Sequence, residues 1–376
     1  MSKYEQVTNT NSAALLNFIT AQRWLSVRIE TLGALIVLVS MMLVVSSNDV
    51  FRLEPGFVGL LIIWSSNFTI TLGFIMDHFS EAEAAITSIE RVDAMSNLPS
   101  EKSMETDPSI GLPPSWPSQG QVTFEEVSLR YRPGLPLALK GLSFAVAPGE
   151  RCGIVGRTGA GKSTISVALF RLVEMESGRV VIDGYDTSTM GLSDLRSRLS
   201  IIPQDPFLFA GTLRECIDPF NQASEDEVLE SLRAVRLCQA GEGPEVLSRR
   251  VEEGGTNYSV GERQLLCLAR ALLAKPKVLM MDEATASVDG ETDAFIQAML
   301  RERFQQTTLL TVAHRLNTIM DYDKVLVMDN GKAVEFGTPT DLLDAPNGVF
   351  TELVNATGEE SARALRDMVT KTGSKN

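Results

Sequence analysis

Residues 156–163 read Gly-Arg-Thr-Gly-Ala-Gly-Lys-Ser. That is a complete G-x-x-x-x-G-K-[ST] phosphate loop. A polyanion needs many donors in a small volume. Gly156, Gly159 and Gly161 let the backbone turn tightly with its N–H groups inward. Lys162 supplies a point charge for β/γ-phosphates, and the Ser163 hydroxyl can hold Mg²⁺. Arg157, Thr158, Ala160 and Thr164 complete the candidate nucleotide-contacting loop. A helix beginning near Lys162 would turn its positive dipole end to the same phosphates. Downstream, an apolar run from Val278 ends in Asp282 and Glu283. A buried parallel strand has this composition, with its acids at the carboxyl end, where ligands of open α/β sheets sit. Taken alone, such acids also suit a turn or a helix cap. Beside a phosphate loop, Asp282 is placed to hold Mg²⁺ and Glu283 to orient an attacking water.

Between these segments stands Asn257-Tyr-Ser259-Val-Gly261-Glu262-Arg263-Gln264. This stretch resembles the signature of ATP-binding cassette (ABC) proteins, and the resemblance extends over residues 121 to about 356. Tyr131 matches the aromatic that stacks on adenine. Gln204, in Ile-Pro-Gln-Asp-Pro-Phe, matches the Q-loop, which makes it a candidate catalytic residue and Mg²⁺ ligand. Ser287-Val-Asp289 matches the D-loop, and His314 the switch histidine that contacts the γ-phosphate. The resemblance implies that Ser259 and Gly261 meet the γ-phosphate held by another domain's phosphate loop.

The run Arg-Tyr-Arg-Pro-Gly-Leu-Pro, Asp-Pro-Phe after the Q-loop, and Ser-Val-Gly in the signature are similar to the second nucleotide-binding domain of the multidrug-resistance-protein (C) subfamily. Residues 22–30 resemble that subfamily's entry into its penultimate membrane helix. Organic anions and glutathione conjugates are the substrates this implies. One position departs: Glu262 replaces the usual Gln, setting a carboxylate near the expected docking point of a partner's γ-phosphate.

The chemistry needs elements to hold it. Residues 151–155 form a short apolar strand before the loop, and 165–172 an apolar-periodic helix after it. Val122, Phe124, Val127 and Leu129 alternate as a strand leading to Tyr131. Residues 308–312, 324–328 and 332–336 supply further strands. From 205 to 258 the pattern is largely helical, with a capping-box form at Ser224-Glu-Asp-Glu227. Residues 261–275 read as a helix stopped by Pro276. The reading is an α/β P-loop NTPase with a helical subdomain, over residues 119–356.

The amino-terminal part differs. Residues 31–48 and 55–76 carry no charge, and each is long enough to cross about 30 Å of hydrocarbon. They are expected to form a transmembrane helical hairpin over 31–77, following a cytoplasmic loop or coupling segment at 1–30. Lys3, Arg23 and Arg28 before the first span, against Arg52 between the spans, favour a cytoplasmic start and a cytoplasmic ATPase domain. Asn67, Thr69 and Thr71 suit either a solute path or helix packing. Residues 78–118 read as a cytoplasmic helix and a Pro-rich linker, and 357–376 as a polar tail with a disordered end.

The chain has 376 residues, with 34 Lys+Arg against 48 Asp+Glu and a net charge of −14. That balance argues against a nucleic-acid partner. Cys152, Cys216, Cys238 and Cys267 show no metal or redox spacing and read as reduced core thiols. The function expected is ATP binding and hydrolysis driving export of a solute. An ATP-gated channel or regulator of the same subfamily, and a non-transport ABC ATPase, are the alternatives. The expected partners are a second ABC nucleotide-binding domain, further transmembrane helices and the lipid bilayer, because two helices cannot enclose a pathway with every backbone polar group shielded. The chain is expected to be a piece of a longer transporter, a truncated gene product or a subunit that needs partners.

Overall fold

A computed structural model describes residues 3–51, 54–239, 241–282, 290–313, 315–345 and 347–373. The chain divides into two units, Met1–Ser100 and Glu101–Asn376.

The first unit is a helical hairpin of α1 (Lys3–Phe51) and α2 (Pro55–Ser96). Residues 1–30, expected as a loop, are the first half of α1 from Lys3 onward. The reason is local: the chain has no Gly or Pro before Gly33, so nothing breaks the helix. The part-buried or buried residues of α1 are Gln22, Ser26, Ile29, Gly33, Val37, Ser40 and Val44, at spacings of three and four. Their counterparts on α2 are Val58, Gly59, Ser65, Leu72 and Gly73. Small residues recur along this stripe, although a Cβ at Gly59 or Gly73 would meet nothing within 4 Å. Ser65 Oγ donates to Ser40 Oγ at 3.3 Å across it. Asn67 and Thr71 lie off this stripe and are exposed; the side chain of Thr69 is outside the described residues. Both helices contain stretches long and apolar enough to cross a membrane, at Glu5–Ser46 and Pro55–Ile75. Leu35, Leu43, Ile63 and Trp64 are more than half exposed on their outer faces. α2 runs on to Ser96, as the helical spacing of Phe79, Ile86, Ile89 and Val92 predicts.

The second unit contains, in chain order, β1 (Val122–Leu129), β2 (Leu139–Val146), β3 (Arg151–Gly156), α3 (Lys162–Leu169), β4 (Ser177–Ile182), β5 (Tyr185–Asp186), α4 (Leu192–Arg198) and β6 (Ser200–Ile202). There follow β7 (Gly211–Thr212), α5 (Leu213–Ile217), α6 (Glu225–Ala234), β8 (Arg250–Val251), α7 (Val260–Ala274), β9 (Val278–Asp282) and α8 (Gly290–Arg303). The last are β10 (Thr308–Val312), β11 (Lys324–Asp329), β12 (Lys332–Gly337), α9 (Pro339–Asp344), α10 (Val349–Asn355) and α11 (Glu359–Gly373). One sheet has the order β12-β11-β3-β10-β9-β6; its strands are parallel apart from the edge strand β12. The central strands are continuous apolar runs because both faces are covered. An antiparallel sheet, β2-β1-β4-β5, packs through Phe124, Leu139 and Val180 onto Ile154, Ile165 and Leu310. On the other face lie α5 to α8 and the carboxyl-terminal helices. The capping box at Ser224 is formed, with Glu227 as its reciprocal partner.

Three segments of this unit differ from expectation. Residues 205–258, expected as largely helical, also carry the two-stranded antiparallel sheet of β7 and β8. The Pro-rich stretch is packed on this unit from Glu101 onward. Trp116 is buried and its Nε1 donates to Ile182 O at 3.1 Å. The Asp183 carboxylate accepts the amides of Gln119, Gly120 and Gln121. Burial would raise its pKa, and these bonds more than offset that, holding the carboxyl below its usual range. Residues 357–376, expected as a polar tail, form α11 as far as Gly373. Ala362, Leu365 and Val369 recur at spacings of three and four and are buried in the same core as Val155 and Leu279. A polar composition hid a narrow apolar stripe. We therefore expect Leu365→Ala to cost about 2 kcal/mol of stability, measured by chemical denaturation; a solvated tail would give no change.

Candidate nucleotide-binding site

β3 lies between β10 and β11, and its carboxyl end delivers the phosphate loop to the edge of the parallel sheet. Gly156 has φ 151°, and a Cβ there would lie 2.2 Å from Met328 O on β11. Gly161 has φ 97°, and its Cβ would lie 2.9 Å from Ala138 O. Both positions therefore exclude any side chain. The loop is braced by Ala160 N donating to Arg157 O at 3.1 Å and Gly331 N donating to Ala160 O at 3.0 Å. α3 begins at Lys162, as the sequence predicts. The Lys162 ammonium is folded over the loop and donates to Gly156 O at 3.0 Å and Arg157 O at 3.4 Å.

The strand register brings the acid to the loop. Val312 of β10 pairs with Ile154 of β3 on one side and Asp282 of β9 on the other. Ser163 Oγ then donates to Asp282 Oδ1 at 3.1 Å, joining residues 119 positions apart. A hydroxyl and a carboxylate side by side make a hard oxygen pair of the kind Mg²⁺ prefers.

A cleft of about 510 Å³ opens on Ser163 and the phosphate loop. It is lined by Tyr131, Thr158, Gly159, Gly161, Lys162, Ser163, Thr164 and Gln204. Tyr131 is 46% exposed, and its hydroxyl shares a hydrogen bond with Thr164 Oγ1 at 3.1 Å. That leaves an open ring at the cleft's margin. Leu137, Ala138, Lys140, Asn330 and Gly331 also line it, and sequence reasoning did not single them out. A signal existed for the last two. Asn330-Gly331, both at positive φ, is a two-residue hairpin turn. The sequence locates that hairpin but not its position over the cleft. Gly156 and Arg157 face a second cavity, of about 640 Å³, bounded by Arg315 and by Leu365 and Met368 of α11; Thr158 and Lys162 border both. Ala160 is buried beneath the loop.

Glu283, Ser287, Asp289 and His314 lie outside the described residues. Cys152 is fully buried on β3, and burial, with the Glu150 charge, pushes its thiol up to about 12. It is a packing group with no thiolate to offer. The other three cysteines are buried too.

Ser259 and Gly261 do not line the cleft. They sit at the start of α7, where Ser259 is the N-cap. Ser259 Oγ accepts the Glu262 amide at 3.2 Å, and Glu262 Oε2 accepts the Ser259 amide at 2.8 Å. Glu262 thus completes a capping box, a role sequence reasoning passed over although the S-x-x-E pattern carries it. On the same helix, buried Gln264 donates to Gln204 O at 3.0 Å and Pro203 O at 3.2 Å. The helix that begins at Ser259 therefore holds the backbone of the loop that carries Gln204 into the cleft.

Residues 139–286 match the ABC transporter family. The chain is 44% identical over 358 residues to the rat protein "ATP-binding cassette sub-family C member 2", covering 95% of this chain and 23% of the relative. It is 45% identical over 344 residues to the Caenorhabditis elegans "Multidrug resistance protein mrp-7", covering 91% of this chain and 22% of the relative. The chain thus spans under a quarter of the length of these curated relatives. The solved structure of a bacterial Atm1-family ABC exporter with ATP bound superposes with a TM-score of 0.72 at 28% identity, covering 95% of this chain and 62% of that one.

The capping geometry is testable. Glu262→Ala is expected to cost about 1 kcal/mol of stability, read from thermal or chemical denaturation. Glu262→Gln, whose amide oxygen can still accept the Ser259 amide, is expected to lose only a few tenths. Equal stability of Glu262→Ala and wild type would mean that the cap contributes nothing.

Proposed function

The chain belongs to the ATP-binding cassette family, and from that premise we propose that its second unit binds and hydrolyses Mg·ATP to drive export of a solute by a C-subfamily assembly. The single observation that carries this reading is the Ser163–Asp282 contact beside a closed phosphate loop. In the proposed mechanism the loop amides and Lys162 bind the phosphates, replacing the carbonyl contacts that the ammonium now makes. Tyr131 offers its exposed ring to the base. Ser163 and Asp282, with Gln204 on the same cleft, would hold Mg²⁺, which when bound neutralises phosphate charge. Glu283 orients the attacking water, and His314 contacts the γ-phosphate.

Coupling runs outward through Gln204. Beyond it, Phe207 and Phe209 are 57% and 73% exposed and pack edge-to-face with centroids 5.5 Å apart. Exposed aromatics of this kind suit an apolar helix contact, and the proposed occupant is the cytoplasmic end of a membrane helix from the rest of the assembly. The hairpin of α1 and α2 crosses the membrane in this reading, with the ATPase unit in the cytoplasm. Ser259 and Gly261, exposed or half-exposed and away from the cleft, complete the phosphate site of a second nucleotide-binding domain.

Lys162→Ala removes a charge-assisted contact worth on the order of 1.5–3 kcal/mol. Calorimetry should find ATP affinity weaker by roughly ten- to a hundred-fold; equal affinity would remove the nucleotide assignment. Glu283→Gln should keep ATP binding and lose most phosphate release, because the phosphate contacts remain while the water loses its orienting acid. Specific activity of the wild type should rise with protein concentration as two copies close on ATP. Concentration-independent turnover would show that each copy completes its own site.

A further inference from the structure

Residues 101–106 are a strap laid across the start of α4. The first amides of a helix have no partner within it, and Gly191, the N-cap of α4, has no side chain to offer them. The strap supplies the partners. Leu192 N donates to Ser103 O at 3.0 Å, and Ser193 N donates to Met104 O at 2.9 Å. Gly191 N donates to Thr106 Oγ1 at 2.9 Å. In return, Asp194 accepts both the amide and the hydroxyl of Thr106. This is a helix cap delivered from more than 80 residues away.

Gly191 itself points to the strap. Its φ of −67° and ψ of 143° suit any residue. Yet a Cβ there would lie 2.2 Å from Glu105 C and 2.4 Å from Thr106 N. The three nearest obstacles to a side chain here are all strap atoms.

The next turn of α4 links the strap to the nucleotide cleft. Arg196 donates to both carboxylate oxygens of Glu101, at 3.0 and 3.2 Å. The same guanidinium donates to Phe170 O at 3.1 Å and to Arg171 O at 2.8 Å. Phe170 is the C-cap of α3, the helix opened by Lys162 and Ser163. A cation there satisfies orphan carbonyls and complements the negative end of the helix dipole. α3 is a single short helix, about 12 Å long, so displacing one end moves the other. From its other end α4 runs directly into β6, and Gln204 follows two residues after that strand.

We propose that the strap positions the phosphate-loop helix and Gln204 for nucleotide, with Glu101 and Arg196 as positioning residues, so that strap seating and nucleotide binding strengthen each other. This rests on the nucleotide reading of the cleft given above. Coupling between two such events is reciprocal: nucleotide must seat the strap by the same factor by which the seated strap tightens nucleotide. The amides of residues 191–193 report seating, because their only helix-start partners among the described residues are strap atoms.

The test uses the full chain in lipid nanodiscs, with Mg·AMP-PNP as the probe. Hydrogen exchange of residues 191–193 is measured with and without nucleotide, and nucleotide affinity is measured by calorimetry. Saturating nucleotide is expected to slow exchange at 191–193 in the wild type about five-fold. Gly191→Ala is expected to speed exchange there and raise the nucleotide Kd by a similar factor, with unchanged far-UV circular dichroism. Glu101→Ala should raise the Kd less, and Glu101→Asp should restore it in part. A wild type that binds nucleotide with no change at 191–193 overturns the proposal without recourse to any variant. So does Gly191→Ala with fast exchange and wild-type affinity. A wild type that fails to bind nucleotide at all overturns the reading of the cleft instead.

Discussion

Most of the site depends on the close approach of Gly156 to the carbonyl of Met328, where a Cβ would lie 2.2 Å from the oxygen. The two strands run parallel, so the chain must leave β3 while β11 continues alongside. Only a residue without a Cβ can turn at that point. The turn sends the backbone over the carboxyl edge of the sheet and back down as α3. The same edge carries Asp282 on β9, set level by its pairing with Val312. A carboxylate and a hydroxyl drawn from segments 119 residues apart thus meet because three parallel strands end together.

The site is held from three directions. Gly331 of the β11–β12 turn braces the loop from above the cleft. Gln264 of α7 fixes the backbone at Pro203 and Gln204. Arg196 of α4 closes the carboxyl end of α3. Each brace is a side chain or amide donating to a backbone carbonyl, so each is insensitive to the identity of the residue it holds. Such contacts can keep a loop in place while the side chains that meet ligand remain free to differ. Arg196 is half of an ion pair with a partly exposed carboxylate, and pairs of that kind contribute little alone. Its value here is geometric, since one planar group serves three partners.

Local signals carried most of the second unit. The phosphate loop, β9 with its terminal acid, and the strands at 308–312, 324–329 and 332–337 were legible because period, Gly placement and chain breaks agree there. The candidate residues Tyr131, Thr158, Gly159, Lys162, Ser163, Thr164 and Gln204 stand around one cleft, while Ser259 and Gly261 stand elsewhere. Three features were less legible, each for a stated reason. In residues 3–30 polar composition suggested a loop, but helix formation there needs only the absence of breakers. In α11 three buried side chains are outnumbered by charges, so composition outweighed period. The strap reaches α4 through Ser103 O, Met104 O and Thr106 N as well as through the Thr106 and Glu101 side chains, and nothing local in residues 101–106 marks a partner more than 80 residues away. Glu262 was legible in pattern, yet the resemblance drew attention to a distant phosphate and away from its own helix.

The order of strands has a consequence for biosynthesis. β3 sits between β10 and β11, so both of its edges are completed by segments made much later. Arg151 pairs with Leu309, roughly 160 residues later, and a ribosome adding 5–20 residues per second needs about 10–30 s to cover that distance. For that interval an apolar strand with two open edges is outside the ribosome with no partner of its own. Folding of this unit must therefore wait until β10 and β11 have been made. The core that closes over Val155 is complete only when Leu365 and Val369 of α11 arrive, so the phosphate loop gains its final support from a helix made about 200 residues after it.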